Sequence, residues 1–484
     1  MTDIANPHGS PSSASTPLDL SLTSESEHPT SKHLFTHPDQ LPLSSPRATQ
    51  NPRQQPRKDG SISLGREETQ VQKALQVIGS CFLYMNSWGI LNSFGAFQAY
   101  YAQALRPSKS ESQIAWIGSL QGFLLLFIGV LVGPAIDAGY MRHVLTIGSF
   151  LFAFGLFMTS LCHQYYQLIL AQGLVVGIGA GCIFLPSITI VPQWFSPQRS
   201  PLALGIVATG SSIGGIIFPA MFHSIQMSAD FGWAVRVIAF VTLATNVFGT
   251  AVLKYQASLP EHHRALLDIS MPKERYFLPL CVALWLALAG LYVPIFFIPS
   301  YYLSLLPSTS QGSSSATLAF WLVPILMAGS LPGRLVPNMP AASFIGDLNM
   351  VILMTLLSSI LSFCWIAAGD GGAPGVVVFA LFYGFTSGGV VSLIPPVVVS
   401  TAPGKQNLGT RMGMALTVAS LGVLVGCPIA GAILTGSPSE LYTYVQGFAG
   451  VVLMLSAAVF SIVKGLKLGT GTRLGWWESA RARI

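Results

Sequence analysis

The segment Phe123–Ile136 reads FLLLFIGVLVGPAI. None of its side chains carries a charge, and its apolar residues run on without the alternation that a barrel strand shows. In a hydrocarbon layer every backbone N–H and C=O must find a partner inside the protein, so a run of this kind crosses as a helix. A helix needs about 20 such residues to span the layer. Reading outward in both directions, stretches of that length recur at 74–101, 113–136, 143–162, 166–192, 201–223, 231–254, 277–304, 315–337, 348–368, 374–398, 408–435 and 441–464. The pattern predicts an all-α, polytopic membrane protein with 12 transmembrane helices.

Composition points the same way. Charged residues make up 9% of the chain and apolar ones 51%, whereas a soluble domain carries about 25% charged residues. The net charge of +6 follows a topological rule and does not mark a nucleic-acid partner. With the N-terminus placed in the cytoplasm, the loops and tails on that side hold Lys32, Arg47, Arg53, Arg57, Lys58, Arg66, Lys73, Arg142, Arg199, Lys254, Arg264, Lys273, Arg275, Lys405, Arg411, Lys464, Lys467, Arg473, Arg481 and Arg483. The opposite loops hold Arg106 and Lys109. This bias puts both termini in the cytoplasm. The six cysteines lie in or at the edges of spans without metal-ligand spacing, so they read as small packing residues, and no cofactor or metal is expected. No span has an Asp or Glu at its middle, and no histidine, glutamate and serine constellation marks an enzyme.

Residues 1–70 are rich in Ser, Pro, His and Thr and predict a disordered tail. Residues 71–254 and 275–464 then form two groups of six spans, separated by a polar loop at 255–274 and followed by a short tail at 465–484. The halves carry a faint repeat. Pro186 and Pro395 fall in spans four and ten, Pro219 and Pro428 in spans five and eleven, and both pairs are the same distance apart in sequence. A duplicated unit of this sort is a common plan in carriers.

An ionisable side chain at a span centre costs about 2.5–3.5 kcal/mol on insertion scales, so the few present are informative. Arg334 in MAGSLPGRLVP (Met327–Pro337) has two readings. It faces the interior and pairs with an anion, with Ser330 and the neighbouring glycines making room, or it snorkels to the headgroups one turn away. Arg236 reads as a rim arginine paired with Asp230. Gly133, Asp137 and Arg142 in GPAIDAGYMR (Gly133–Arg142) form a turn. Either Asp137 latches onto the helix start near Arg411, where the dipole favours negative charge, or the turn is simply solvated. Asn92 and Gln98 on span one and Tyr292 on span seven line a cavity or join helices through hydrogen bonds. Glycine-rich stretches in spans four, five, ten and eleven predict close helix crossings.

Taken in order, SWGILNSFGAFQAYY (Ser87–Tyr101), SQIAWIGSLQ (Ser112–Gln121), GPAIDAGYMR, YVPIFFIPSYY (Tyr292–Tyr302), PGRLVPN (Pro332–Asn338) and GTRMGMALTVASLGVLVGCPIAGAI (Gly409–Ile433) resemble the major facilitator superfamily. Within it they resemble the fungal monocarboxylate-transporter-like branch. The resemblance implies two six-helix bundles, alternating access and secondary active transport of a small-molecule solute, with secondary-metabolite export as one form. It implies that Arg334 meets the cargo's carboxylate and that Asp137 acts as a latch. Ser330 stands where characterised proton–lactate carriers have an acid, and Asn92 where they have a lysine, although protons remain the candidate coupling ion. The expected setting is a monomer in the lipid bilayer of the plasma membrane, or of a vacuolar or other internal membrane. The alternative is a non-transporting nutrient sensor of the same fold.

This topology is testable. A reporter fused after Ser308 should read as external and one fused near His262 as cytoplasmic, and the reverse result at either site overturns it.

Overall fold

The structure, a computed structural model, describes residues 60–105, 109–196, 199–254, 274–307, 314–339, 345–401, 408–434 and 438–470. Within these, the side chains of 60–69, 137, 201, 314–316, 408–409, 438–441 and 469–470 are left out. Among the described residues, 12 helices are long and apolar enough to cross a membrane. They are α1 (Gln70–Ala104), α2 (Glu111–Leu131), α3 (Ala138–Thr159), α4 (Tyr165–Trp194), α5 (Leu202–Ser228), α6 (Phe231–Val252), α7 (Phe277–Leu305), α8 (Thr317–Asn338), α9 (Asp347–Ala368), α10 (Gly372–Ser400), α11 (Thr410–Ile433) and α12 (Tyr442–Leu468). Each covers an apolar stretch read from the sequence. The helix leading into α1 starts at Gly60, inside the segment expected to be disordered. The rest of that tail, the central loop up to residue 273 and the tail from residue 471 lie outside the described residues.

Local chemistry fixes where helices begin. Ser110 caps α2 with a reciprocal box: its hydroxyl accepts from Gln113 N and Gln113 Oε1 accepts from Ser110 N. Asp230 caps α6 by accepting from Trp233 N at 2.6 Å. At the start of α3 the chain kinks at Gly139, whose φ of +88° a residue with a Cβ adopts only under strain.

The neighbour pattern of the first six helices recurs in the last six. α1 packs on α5 and α6, α2 on α4, and α3 on α4 and α6; six helices on, α7 packs on α11 and α12, α8 on α10, and α9 on α10 and α12. The halves meet along α2 and α11 and along α5 and α8, with the distal part of α1 against α7. Inside each half, polar side chains join helices that lipid alone would not hold together. Asn86 Nδ2 donates to Asn246 Oδ1 at 2.7 Å and Thr245 Oγ1 at 2.8 Å, fixing α1 to α6. Gln76 ties the start of α1 to the end of α6 by accepting from Lys254 N and donating to Val252 O. Asn86 is therefore a joining residue and does not line a cavity.

Glycines set close crossings in both halves. A Cβ on Gly89 of α1 would lie 2.8 Å from Gly214 Cα of α5. On α8, Gly329 and Gly333 rest directly on the carbonyls of Leu381 and Phe385 of α10. Gly133 is different: an added Cβ would meet only Leu185, at 3.5 Å, so close packing does not require a glycine there.

The halves are closed on each other at the face opposite the Lys/Arg-rich side. There Phe94 of α1 packs on Phe296 of α7 at 4.8 Å, and His223 of α5 stacks on Phe320 of α8 at 4.7 Å. Ser112 of α2 donates to Pro428 O of α11 at 2.8 Å. On the basic face, the described parts of α4 and α10 make no extended packing with each other.

Overpacking a tight crossing typically costs about 1–3 kcal/mol. Gly89→Ala should therefore lower the melting temperature of the detergent-solubilised protein, while Gly133→Ala should leave it unchanged.

Candidate functional site at the α1–α5–α8 junction

Arg334 sits less than two turns from the end of α8, close enough to reach the basic face. It does not do so: its side chain is 3% exposed and turns into the junction between the halves. Its Nε donates to Ser212 Oγ of α5 at 3.1 Å and to Ser330 Oγ, one turn back on α8, at 3.2 Å. The two serine hydroxyls hydrogen-bond each other at 3.3 Å. Helix geometry accounts for the aim. Gly329 and Gly333 commit one face of α8 to α10, so the next residue in each case, Ser330 or Arg334, points about 100° away, toward α5. The sequence left snorkelling open for Arg334, and the packing of α8 on α10 decides against it.

The guanidinium lacks a counter-charge. Its nearest titratable neighbours are the phenols of Tyr84 on α1 and Tyr292 on α7. Among the described residues no carboxylate pairs with it, and its Nη1 has no hydrogen-bond partner. A buried charge in this condition is costly unless an anion or a cluster of acceptors meets it.

An aromatic ladder continues from the cation. Tyr84 stacks on Trp88 with centroids 6.1 Å apart and planes 14° apart. Trp88 in turn faces Tyr292, across the two halves, at 6.5 Å and 24°. Phe184 of α4 sets its edge against both Tyr84 and Trp88. Trp88 Nε1 and Asn92 Nδ2 are both buried without a partner among the described residues. A Cβ on Gly215, three residues from Ser212, would lie 3.4 Å from Asn92 Cβ.

Of the residues singled out in the sequence, the structure thus brings together Arg334, Ser330, Tyr292 and Asn92. Gln98 is also fully buried with both amide atoms unpartnered. However, it lies beyond the break in α1 at Ser93, with no contact to Arg334 among the described residues. Sequence reasoning missed Ser212, Tyr84 and Trp88. GSSIGG (Gly210–Gly215) was read for its glycines, although two adjacent hydroxyls within a span were a signal in themselves.

The model of the Major Facilitator Superfamily matches residues 77–347. The chain belongs to this superfamily. It is 39% identical over 388 residues to the MFS-type transporter dbaD of Emericella nidulans, covering 80% of this chain and 85% of the relative. It is 34% identical to the agnestins efflux protein AgnL12 of Paecilomyces divaricatus, with 82% and 88% covered. It is 36% identical to the aspyridones efflux protein apdF of Emericella nidulans, with 77% and 74% covered. The protein is a multi-pass membrane transporter and not an enzyme.

Of the residues expected to form a latch, Arg411 has partners in its own half. Arg411, expected to serve Asp137, is 2% exposed and bound within its own half. Its Nη1 pairs with Glu274 Oε2 at 2.6 Å and its Nη2 donates to Thr401 O at 3.3 Å. Its guanidinium lies over the Phe277 ring at 4.7 Å. The pair joins the starts of α7 and α11 to the end of α10. Beside it, burial and then the Glu274 carboxylate raise the Tyr276 phenol above its ordinary pKa, opposed by Arg411. The side chain of Asp137 lies outside the described residues, and Arg142 is exposed. The start of α11 still approaches the end of α2, since a Cβ on Gly413 would come within 3.0 Å of Val130. Arg236 is a rim residue, but it donates to Ser160 Oγ at 3.2 Å and lies over Trp233. Asp230 is occupied instead as the cap of α6.

Removing one partner of a buried ion pair destabilises more than replacing both with apolar residues. Glu274→Leu should therefore lower the melting temperature, and the double variant Glu274→Leu/Arg411→Leu should recover part of the loss.

Proposed function

We propose that this transporter exports a small organic solute bearing an acidic group, by alternating access, with Arg334 as the anion site. The observation that carries the reading is the buried guanidinium, which meets the hydroxyls of Ser212, Ser330 and Tyr84 and no carboxylate, with Nη1 unpartnered among the described residues. An anion entering the junction supplies the missing acceptors. Ser212 and Ser330 orient the guanidinium, Tyr292 borders it, and we include Asn92 among the groups that meet the cargo. The relatives named as efflux proteins for agnestins and aspyridones support the outward direction. Export also fits a monomer in the plasma membrane. The closed α1–α7 and α5–α8 contacts describe a state sealed on the face that we take as external.

Protons are the coupling ion in this proposal. Among the described residues, the only carboxylates within the spans stand at helix starts, at Glu111 and Asp347. We assign gating to the α2–α3 turn, with Gly133, Asp137 and Arg142, because the start of α11 approaches the end of α2 at Val130.

The test is efflux of labelled organic acids from reconstituted vesicles. Arg334→Ala should abolish it with little loss of protein from the membrane. Arg334→Lys should recover only part of the rate, since a point charge does not reproduce a planar fork of donors. Normal efflux by the alanine variant sinks the proposal.

A further inference from the structure

Resting on that reading of Arg334, we infer that the junction selects a planar aromatic acid, a conjugated ring system bearing a carboxylate, over an aliphatic acid of the same size. Two independent features carry this. The first is the polarity of the unmet groups. Trp88 Nε1 and Arg334 Nη1 are buried without partners, and both are donors that cannot act as acceptors. Asn92 Nδ2 adds a third. A polyol would bring donors as well as acceptors, and a cation would be repelled. A ligand rich in acceptor oxygens with a negative charge satisfies all three.

The second feature is the ladder above the cation. Tyr84, Trp88 and Tyr292 present nearly parallel ring faces, 14° and 24° apart. Trp88 and Tyr292 belong to different halves, so their stack is broken whenever the halves separate at this level. The two faces then lie bare on either side of the opening. A flat π system restores both contacts at once, whereas a puckered aliphatic ring fills the space without the stacking geometry. Phe184, edge-on to Tyr84 and Trp88, bounds the same slot from α4. Tyr84 and Tyr292 both border the Arg334 guanidinium, so the slot leads to the charge. A ring in the slot therefore carries its carboxylate at one edge.

The experiment compares 2-naphthoate with decahydro-2-naphthoate, which share charge and carbon skeleton and differ in flatness and π surface. Binding is measured on the full-length protein in lipid vesicles by competition and thermal shift. The expected result is a preference for 2-naphthoate of roughly three- to tenfold, the ratio that one aromatic pair contributes beyond its area. Trp88→Leu should erase that preference, and Arg334→Gln should remove binding of both acids. Should Trp88→Leu not fold, Tyr292→Leu carries the same comparison, and the wild-type ratio needs no variant. Equal binding of the two acids that depends on Arg334 overturns this inference and leaves the anion site standing. A preference that survives both aromatic substitutions also overturns it. Binding of neither acid overturns the inference and the proposed function together.

Discussion

Hydrocarbon offers no hydrogen bonds, and that single constraint orders this molecule. It forces the backbone into helices and leaves polar side chains with two uses, joining helices or meeting something that arrives. Asn86, Gln76 and Tyr383 follow the first course. Each bonds across to another helix, Tyr383 through its hydroxyl to Leu291 O at 2.9 Å. Trp88, Asn92 and Arg334 keep donors without partners among the described residues, and these three cluster where the halves meet.

Glycine has an indirect part in the site. The contacts of Gly329 and Gly333 with carbonyls of α10 fix the rotation of α8 about its own axis. Once that rotation is set, Ser330 and Arg334 have no freedom to face lipid. Serine hydroxyls from α5 and α8 then take the guanidinium Nε, so its position depends on both halves. A movement that separates α5 from α8 changes the bonding of the charge without any change in α8 itself.

The spans were legible because membrane thickness imposes a length and an apolarity that a single sequence displays directly. The two-half organisation was legible through Pro186, Pro219, Pro395 and Pro428, whose spacing survives where other similarity has faded. The site was legible in part. Arg334 is conspicuous because a cation inside a span needs a reason, but whether it turns inward depends on the rotation of α8, which no local pattern encodes. Arg411 was conspicuous for the same reason, yet its partner proved to be Glu274, 137 residues earlier in the chain. Charge alone does not tell which of several acids will lie nearest, so Asp137 and Glu274 could not be separated by reading. Ser212 and Trp88 escaped notice because serine and tryptophan are ordinary in spans, and only their neighbours make them distinctive.

The Arg411–Glu274 pair also has a mechanical meaning. Glu274 is where the connection between the halves enters α7, and Arg411 holds it to the start of α11 while contacting the end of α10 through Thr401 O. Tension in that connection is therefore delivered to three helix ends together and not to α7 alone. Shortening the connection would pull the second half as one body, whereas cutting the pair would let the same pull fray α7 from its first turn.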